Sequence, residues 1–395
     1  MSEESPFRRA KKGALKAVDT VGPKGEYSEE ELIKLQEDQR KGQIVGFLKK
    51  EYRKCKDQLE PMKKQWYTNL SFYKGDQYVE YINGRIIKRP APVGRVRLTI
   101  NRIRPVVRTE ISRIITKEPT AEVIPSTSDQ EDIMRAEAAQ MVWQSQKANL
   151  KVQEILEDAA FWVSTCGIGF IKVSWDKSAK IEFEMDSTDA VAEGNHQITS
   201  ISPFHLLVPD LFERDIENQP YVLNVFTKPL EWVKTRYGNI FPEDYKPTVI
   251  GAQEIIETQY LNTKSQTNDQ AKPDSCLIME AWIKPGTLSA MPEGGLVTLI
   301  DDIIVQMKDD GMPYKHGEYP FAKIENIPSG SFYSTSVIED LIPVQQEFNR
   351  NRSQQVEARN AMSKPGWFYT EGSLNPTKVT TAPGQMIPVK PGAPM

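Results

Sequence analysis

The chain has little of what marks a catalytic or secreted protein. Its 395 residues include three cysteines, Cys55, Cys166 and Cys276, and three histidines, His196, His205 and His316. The cysteines are odd in number, far apart and without CxxC or Cys/His spacing, which argues against a disulfide framework or a zinc site and for a reducing compartment. The histidines sit in unrelated segments with no HExxH and no i, i+4 partner, so no metal or catalytic cluster is expected of them. No Ser, Cys or Lys nucleophile has a base nearby to activate it. Apolar runs of the roughly 18 residues that a membrane span needs are absent, and the opening MSEESPFRRAKKGALK has no apolar signal region. A soluble protein without cofactor, metal or membrane contact is expected, and no enzymatic activity.

Charge is present but segregated. From Arg85 to Lys117 ten bases (Arg85, Lys88, Arg89, Arg95, Arg97, Arg102, Arg104, Arg108, Arg113 and Lys117) face one acid, Glu110. From Asp176 to Glu217 ten acids face Lys177, Lys180 and Arg214. Clustered bases can neutralise phosphates and release counterions. The basic stretch lacks aromatics for base stacking, which disfavours single-strand binding. The plainer reading is a pair of solvated faces that attract each other within or between chains.

Along the chain, residues 1–42 are charged and lack a sustained stripe, as in a mobile tail with a short helix at 28–40. Residues 43–74 carry apolar residues at helical spacing, with Pro61 expected to kink or split the helix and Gly75 to end it. Asn83-Gly84 lies between two β-prone runs and signals a hairpin. A helix entered at Asn101 places Pro105 in its first turn and Ile103, Val106, Val107, Ile111, Ile114 and Ile115 in a buried stripe. A second helix opens with Ser128 or Asp129 as cap, and a third spans roughly 150–165. Residues 168–209 then alternate as strands. Helices followed by strands make an α+β order. A further helix begins near Lys228, with Leu230, Val233 and Tyr237 on one side, and ends at Tyr237-Gly238. Residues 275–328 read as a small β-rich module between two helices. From Val337, apolar residues at Val337, Leu341, Val344 and Phe348 draw one stripe; beyond Phe348 the helix has almost nothing to bury.

Two motifs could carry chemistry. Gly167-Ile168-Gly169 precedes a strand, without the third glycine or lysine that phosphate binding needs, and reads as a close-packed turn. Asp301-Asp302 and Asp309-Asp310 could be imagined as a two-metal nuclease cluster; flanking an apolar strand, they read better as solvated turn acids.

The ordered series FYKGDQY, NRIRPVVRTEISRIITKEPTAEVIPS, AQMVWQSQKAN, EDAAFWVSTCGIGFIKVSWD and SPFHLLVPD resembles the N-terminal half of portal proteins of tailed bacteriophages, the short-tailed ones above all. EAWIKPG through GWFY agrees, including Gln345, Asn349 and Ser353 in a long helix that closes on Pro365. The resemblance runs from about residue 44 to the end and rests on the order of the motifs. It implies an elongated α+β subunit with an α/β wing, two long stem helices and a small β-rich clip. Such subunits assemble into a ring, usually of twelve, at one capsid vertex. Double-stranded DNA is pumped in by the terminase through the ring and leaves through it on infection. Further implied partners are the major capsid protein, the scaffolding protein and the tail adaptor; the implied location is the virion, with assembly in the host cytoplasm.

By the same resemblance the wing is 43–228, the first stem helix lies within 229–262, the clip is 263–333, the second stem helix is 334–362, and 363–395 begins the tunnel-loop return. Members usually continue past that point, so a chain stopping at Met395 is either truncated or minimal. Expected DNA-channel residues are Glu347, Arg350, Arg352, Glu357, Arg359 and Lys364. Arg95, Arg97, Arg102, Arg104, Arg108 and Arg113 form a candidate basic surface. The polar helix would rest on identical neighbours in the ring. Other readings are an adaptor or stopper ring and, less favoured, a metal-dependent DNA-processing enzyme using Asp301.

Overall fold

The computed structural model describes residues 29–82, 85–91, 95–116, 122–183, 190–241, 245 and 275–363. The chain divides into two units, Met1–Lys49 and Lys50–Met395. Helices come first and antiparallel strands follow, the α+β order the sequence implies. Helix α1 spans Glu29–Lys74 and runs through Pro61, so the proline does not split it. Proline costs about 3 kcal/mol inside a helix. Leu59, Trp66 and Leu70 are almost wholly buried around it, and each contributes roughly 1.5–3 kcal/mol by leaving water. Trp66 meets Phe204 at 5.1 Å and Tyr333 at 5.4 Å, edge to face. Gly75 ends the helix at φ 101°, its amide donating to the Ser71 carbonyl at 3.0 Å.

The hairpin is β1 (Val79–Ile82) with β2 (Arg85–Lys88); its Asn-Gly turn lies outside the described residues. Helices α2 (Ile103–Thr116), α3 (Gln130–Asn149) and α4 (Val152–Cys166) follow. In α2 only part of the expected stripe is buried: Ile103 and Val107 are, whereas Val106 and Ile114 are each 45% exposed. The α4 helix ends at Gly167 (φ 87°), where any Cβ would lie 2.4 Å from the Ser334 carbonyl oxygen. The glycines here serve close packing, as expected.

Strands β3 (Ile168–Phe183) and β4 (Ala190–Ile201) pair with each other, and β10 (Phe321–Glu325) adds to β3. A second sheet runs β5 (Leu206–Leu207), β6 (Tyr221–Pro229), β7 (Ser275–Ile283), β8 (Gly295–Ile300) and β9 (Ile303–Lys308) in that order. The strands of 275–325 therefore join two sheets that also hold earlier strands: β7 pairs with β6 and carries β8 and β9 beyond it, and β10 pairs with β3. The reason is visible in β8, buried at all six positions: a strand covered on both faces needs more layers than a short insertion supplies. Helix α5 (Leu230–Tyr237) covers this sheet with Val233, Leu230 and Tyr237, against Cys276, Ile278 and Ile300. Residues 242–244 and 246–274, most of the expected first stem helix, are outside the described residues.

The last helix, α6, spans Val337–Ser363. Its buried positions are Ile338, Gln345, Asn349 and Ser353. The expected stripe through Val344 is replaced by one rotated about it; Val344 is 65% exposed. Ile338, with Leu341 and Ile342, packs on Phe72, Ile103 and Val107. The polar stripe is held by an extended segment, residues 95–102. The amide of Arg102 donates to Gln345 Oε1 (2.9 Å), Ile100 to Asn349 Oδ1 (3.1 Å), Leu98 to Ser353 Oγ (3.0 Å) and Val96 to Glu357 Oε1 (2.9 Å). Four residues of helix rise about 6.0 Å, and two residues of extended chain about 6.6 Å. Every second amide thus meets every fourth helix residue. Part of the polarity of α6, at Gln345, Asn349, Ser353 and Glu357, is thus met within its own chain.

Asn349→Leu would leave the Ile100 amide without its acceptor, at a cost of about 1–3 kcal/mol. Chemical denaturation should show a loss in that range. The exposed Gln354→Ala, off the ladder, should stay within about 0.5 kcal/mol; equal effects would refute the ladder's contribution.

Candidate nucleic-acid interface

Three constraints orient α6. Ser336 and Glu339 form a capping box: the Ile338 amide donates to Ser336 Oγ at 3.1 Å, and the Ser336 amide to Glu339 Oε1 at 3.2 Å. Apolar packing at Ile338 seats the first turn. The ladder fixes the rest and decides which candidates remain exposed.

Glu357, expected as a channel residue, is the final ladder acceptor. Arg350 and Arg352, two positions apart, sit on nearly opposite sides of the helix, about 200° apart. Arg350 pairs with Glu347 at 3.5 Å, with both side chains largely exposed, so the pair adds little stability. Arg352 donates to Gln355 Oε1 at 3.0 Å and lies 5.6 Å from the centre of the Phe348 ring. Arg359, one heptad later, shares that side and is exposed. Lys364 is outside the described residues.

The basic segment divides similarly. Arg104 is committed to the end of α1, donating from Nε to the Tyr73 carbonyl (3.2 Å) and from Nη2 to that of Lys74 (3.0 Å). A cation there also meets the negative end of the helix dipole. Asn101 joins the two helices. Its Nδ2 donates to the Phe72 and Tyr73 carbonyls, and its Oδ1 accepts the Ile103 and Arg104 amides. Arg97 lies 4.3 Å from the Tyr78 ring and donates to the Arg89 carbonyl at 2.7 Å. Arg95, Arg102, Arg108 and Arg113 are exposed. Members of the acidic stretch have partners elsewhere: Asp176 pairs with Arg236 at 3.5 Å and Glu217 with Lys284 at 3.2 Å.

The remaining candidates lie apart. His196 packs edge-on against Trp175 at 5.0 Å, and His316 stacks on Tyr314 at 5.5 Å. Asp301 occupies the β8–β9 turn at φ 53° and accepts a hydrogen bond from the Tyr245 hydroxyl. Among the described residues no three His, Cys, Asp or Glu side chains are grouped as a metal site, and no helix is long and apolar enough to cross a membrane. All three cysteines are free thiols and buried; burial pushes that of Cys55 up to about 11. The spacings behind the capping box and the ladder are in the sequence, Ser336-x-x-Glu339 and four acceptors at every fourth position, and both signals go unused when a helix is read only for apolar stripes.

A family model described as Phage P22-like portal protein matches residues 49–316. No curated protein matches the chain.

Glu110, the one acid of the basic segment, is half-buried. Burial lifts its carboxyl above the ordinary range, although Asn326 Nδ2 donates to it at 3.1 Å. A raised folded value means that the native state holds its proton longer than the unfolded chain does. Its contribution is therefore fully present below the ordinary value of 4.5 and is lost as pH rises through the folded value. Glu110→Gln should melt higher than the parent at neutral pH and converge with it in acid. A variant that melts lower at neutral pH and recovers nothing in acid would show that the charged carboxylate is stabilising.

Proposed function

The chain belongs to the phage P22-like portal protein family, and we propose that it builds the ring-shaped DNA channel at a single capsid vertex. In this reading the ring admits the genome under the terminase motor, joins head to tail and releases the genome on infection. The major capsid protein, the scaffolding protein and a tail adaptor are its partners. The observation that carries the proposal is the family match over residues 49–316. It specifies a portal protein, so an adaptor or stopper ring has no observation in its favour. The family is structural rather than enzymatic, and Asp301 bonded to Tyr245 at a turn offers nothing for a nuclease reading.

Helix α6 is the proposed second stem helix. Supporting this is its exposed surface, where Arg352 and Arg359 lie among neutral polar residues and Arg350, on another side, is offset by Glu347. A channel through which DNA slides should not grip it. Each phosphate contact steepens the salt dependence of affinity, and interleaved acid keeps the net attraction small. Electron microscopy of the purified chain should reveal rings with a central hole. A monodisperse monomer at high concentration would overturn the proposal.

A further inference from the structure

Arg102 and Arg352 are 250 positions apart in sequence, yet their guanidinium groups lie 5.7 and 5.6 Å from the centre of one ring, that of Phe348. The two charges are therefore no further apart than twice that distance. The ladder causes the meeting. The Arg102 amide is fixed on Gln345, one turn before Phe348, and Arg352 follows Phe348 by one turn on the same helix. Both arginines are exposed, and Phe348 is partly buried between them. Neither has a carboxylate within ion-pair distance among the described residues, and the same holds for exposed Arg359, a heptad beyond Arg352. The other side of α6 differs, since Arg350 has Glu347 beside it.

Two like charges held on one apolar ring without an acid repel each other; Arg352 spends one donor on Gln355 Oε1, and the remaining donors of the two forks have no partner among the described residues. The planar guanidinium fork matches phosphate oxygens, and the ring attracts each cation without using its hydrogen-bond donors. We propose that Arg102 and Arg352, seated on Phe348 and extended by Arg359, form a composite phosphate-binding site for the backbone of double-stranded DNA. This side of α6, rather than the Arg350 side, then faces the passing duplex. The site joins a helix residue to one from the extended basic segment, so neither segment alone carries it. Because phosphates follow one another at about 3.4 Å of axial rise per strand, a pair of charges at this spacing reaches neighbouring phosphates without reading a base. The contact is non-specific, as sliding requires. This inference rests on the reading of the chain as a DNA channel.

The test is the salt dependence of binding to a fluorescent linear duplex by the full-length protein, with assembly checked in each preparation by electron microscopy. Each phosphate contact contributes about 0.9 to the slope of log affinity against log salt. Arg102→Gln/Arg352→Gln should flatten that slope by one or more such contacts, while Arg350→Gln should leave it unchanged. Arg359→Gln is the second probe, because that side chain makes no described contact whose loss could unfold the helix, and it should flatten the slope as well. An unchanged slope in Arg359→Gln together with an unchanged slope in the double variant overturns the site. So does a flatter slope in Arg350→Gln alone. If the parent forms no rings, the channel reading fails instead, and the slopes still report whether these arginines touch phosphate.

Discussion

A backbone amide taken out of water must find an acceptor, and much of this chain follows from where four amides of residues 95–102 find theirs. They use side chains of α6 in place of another strand. The two periods nearly agree, about 6.0 Å for four helical residues against about 6.6 Å for two extended ones. Four residues of helix also turn through about 400°, so each rung lies about 40° further round than the last. A segment crossing the helix is therefore closest at the middle rungs and further away at the ends. The side chains follow that distance: short Asn349 and Ser353 in the middle, long Gln345 and Glu357 at the ends. The middle rungs are also the most cross-bonded, with Ser353 Oγ donating to the Asn349 carbonyl at 2.8 Å and Gln345 Nε2 to Asn349 Oδ1 at 3.0 Å.

The ladder also explains why the basic stretch is not one surface. Its residues are pulled into different duties by the elements they join. Arg104 and Asn101 close the junction between α1 and α2, Arg97 lies along the Tyr78 ring, and Arg102 is carried onto Phe348. A count of charge over thirty-odd residues has no access to these assignments, because each is made by a carbonyl or a ring far away in sequence. The acidic stretch shows the same limit: its Asp176 and Glu217 meet Arg236 of α5 and Lys284 just after β7, not bases of the basic segment.

Where the sequence was legible, a local rule sufficed. The glycine that ends α1, the Asn101 start of α2, the strand alternation from residue 168 and the apolar side of α5 all depend on neighbours within a turn or two. Two kinds of feature were misread. Pro61 announces a break that the burial of Leu59, Trp66 and Leu70 overrides. The strands after residue 275 look self-contained until their pairing with β6 and β3 is known, since the edge that receives them is set by the fold. The polar half of α6 was legible in principle: Gln345, Asn349, Ser353 and Glu357 recur at four, and Val96, Leu98, Ile100 and Arg102 at two. Hydrophobic periodicity does not weigh hydrogen-bond acceptors, so that matched pair of patterns passes for a helix with nothing to bury.

The consequence for function is one of orientation. Had α6 depended on neighbouring subunits for its polar contacts, its rotation about its own axis would have been a property of the ring. Anchored by the capping box, by Ile338 and by four rungs to its own chain, the helix carries its orientation in the single subunit. The stripe from Gln345 to Ser353 is then spent, and only the remaining sides are left for neighbours or DNA. One bears Arg350 beside Glu347; the other bears Phe348 with its two arginines and Arg359. In a symmetric assembly every copy repeats that choice at the same height. In the proposed ring a modest charge imbalance between two sides of one helix would be multiplied around the channel without any single contact becoming strong, which is what a surface must achieve if it is to guide a polyanion and let it pass.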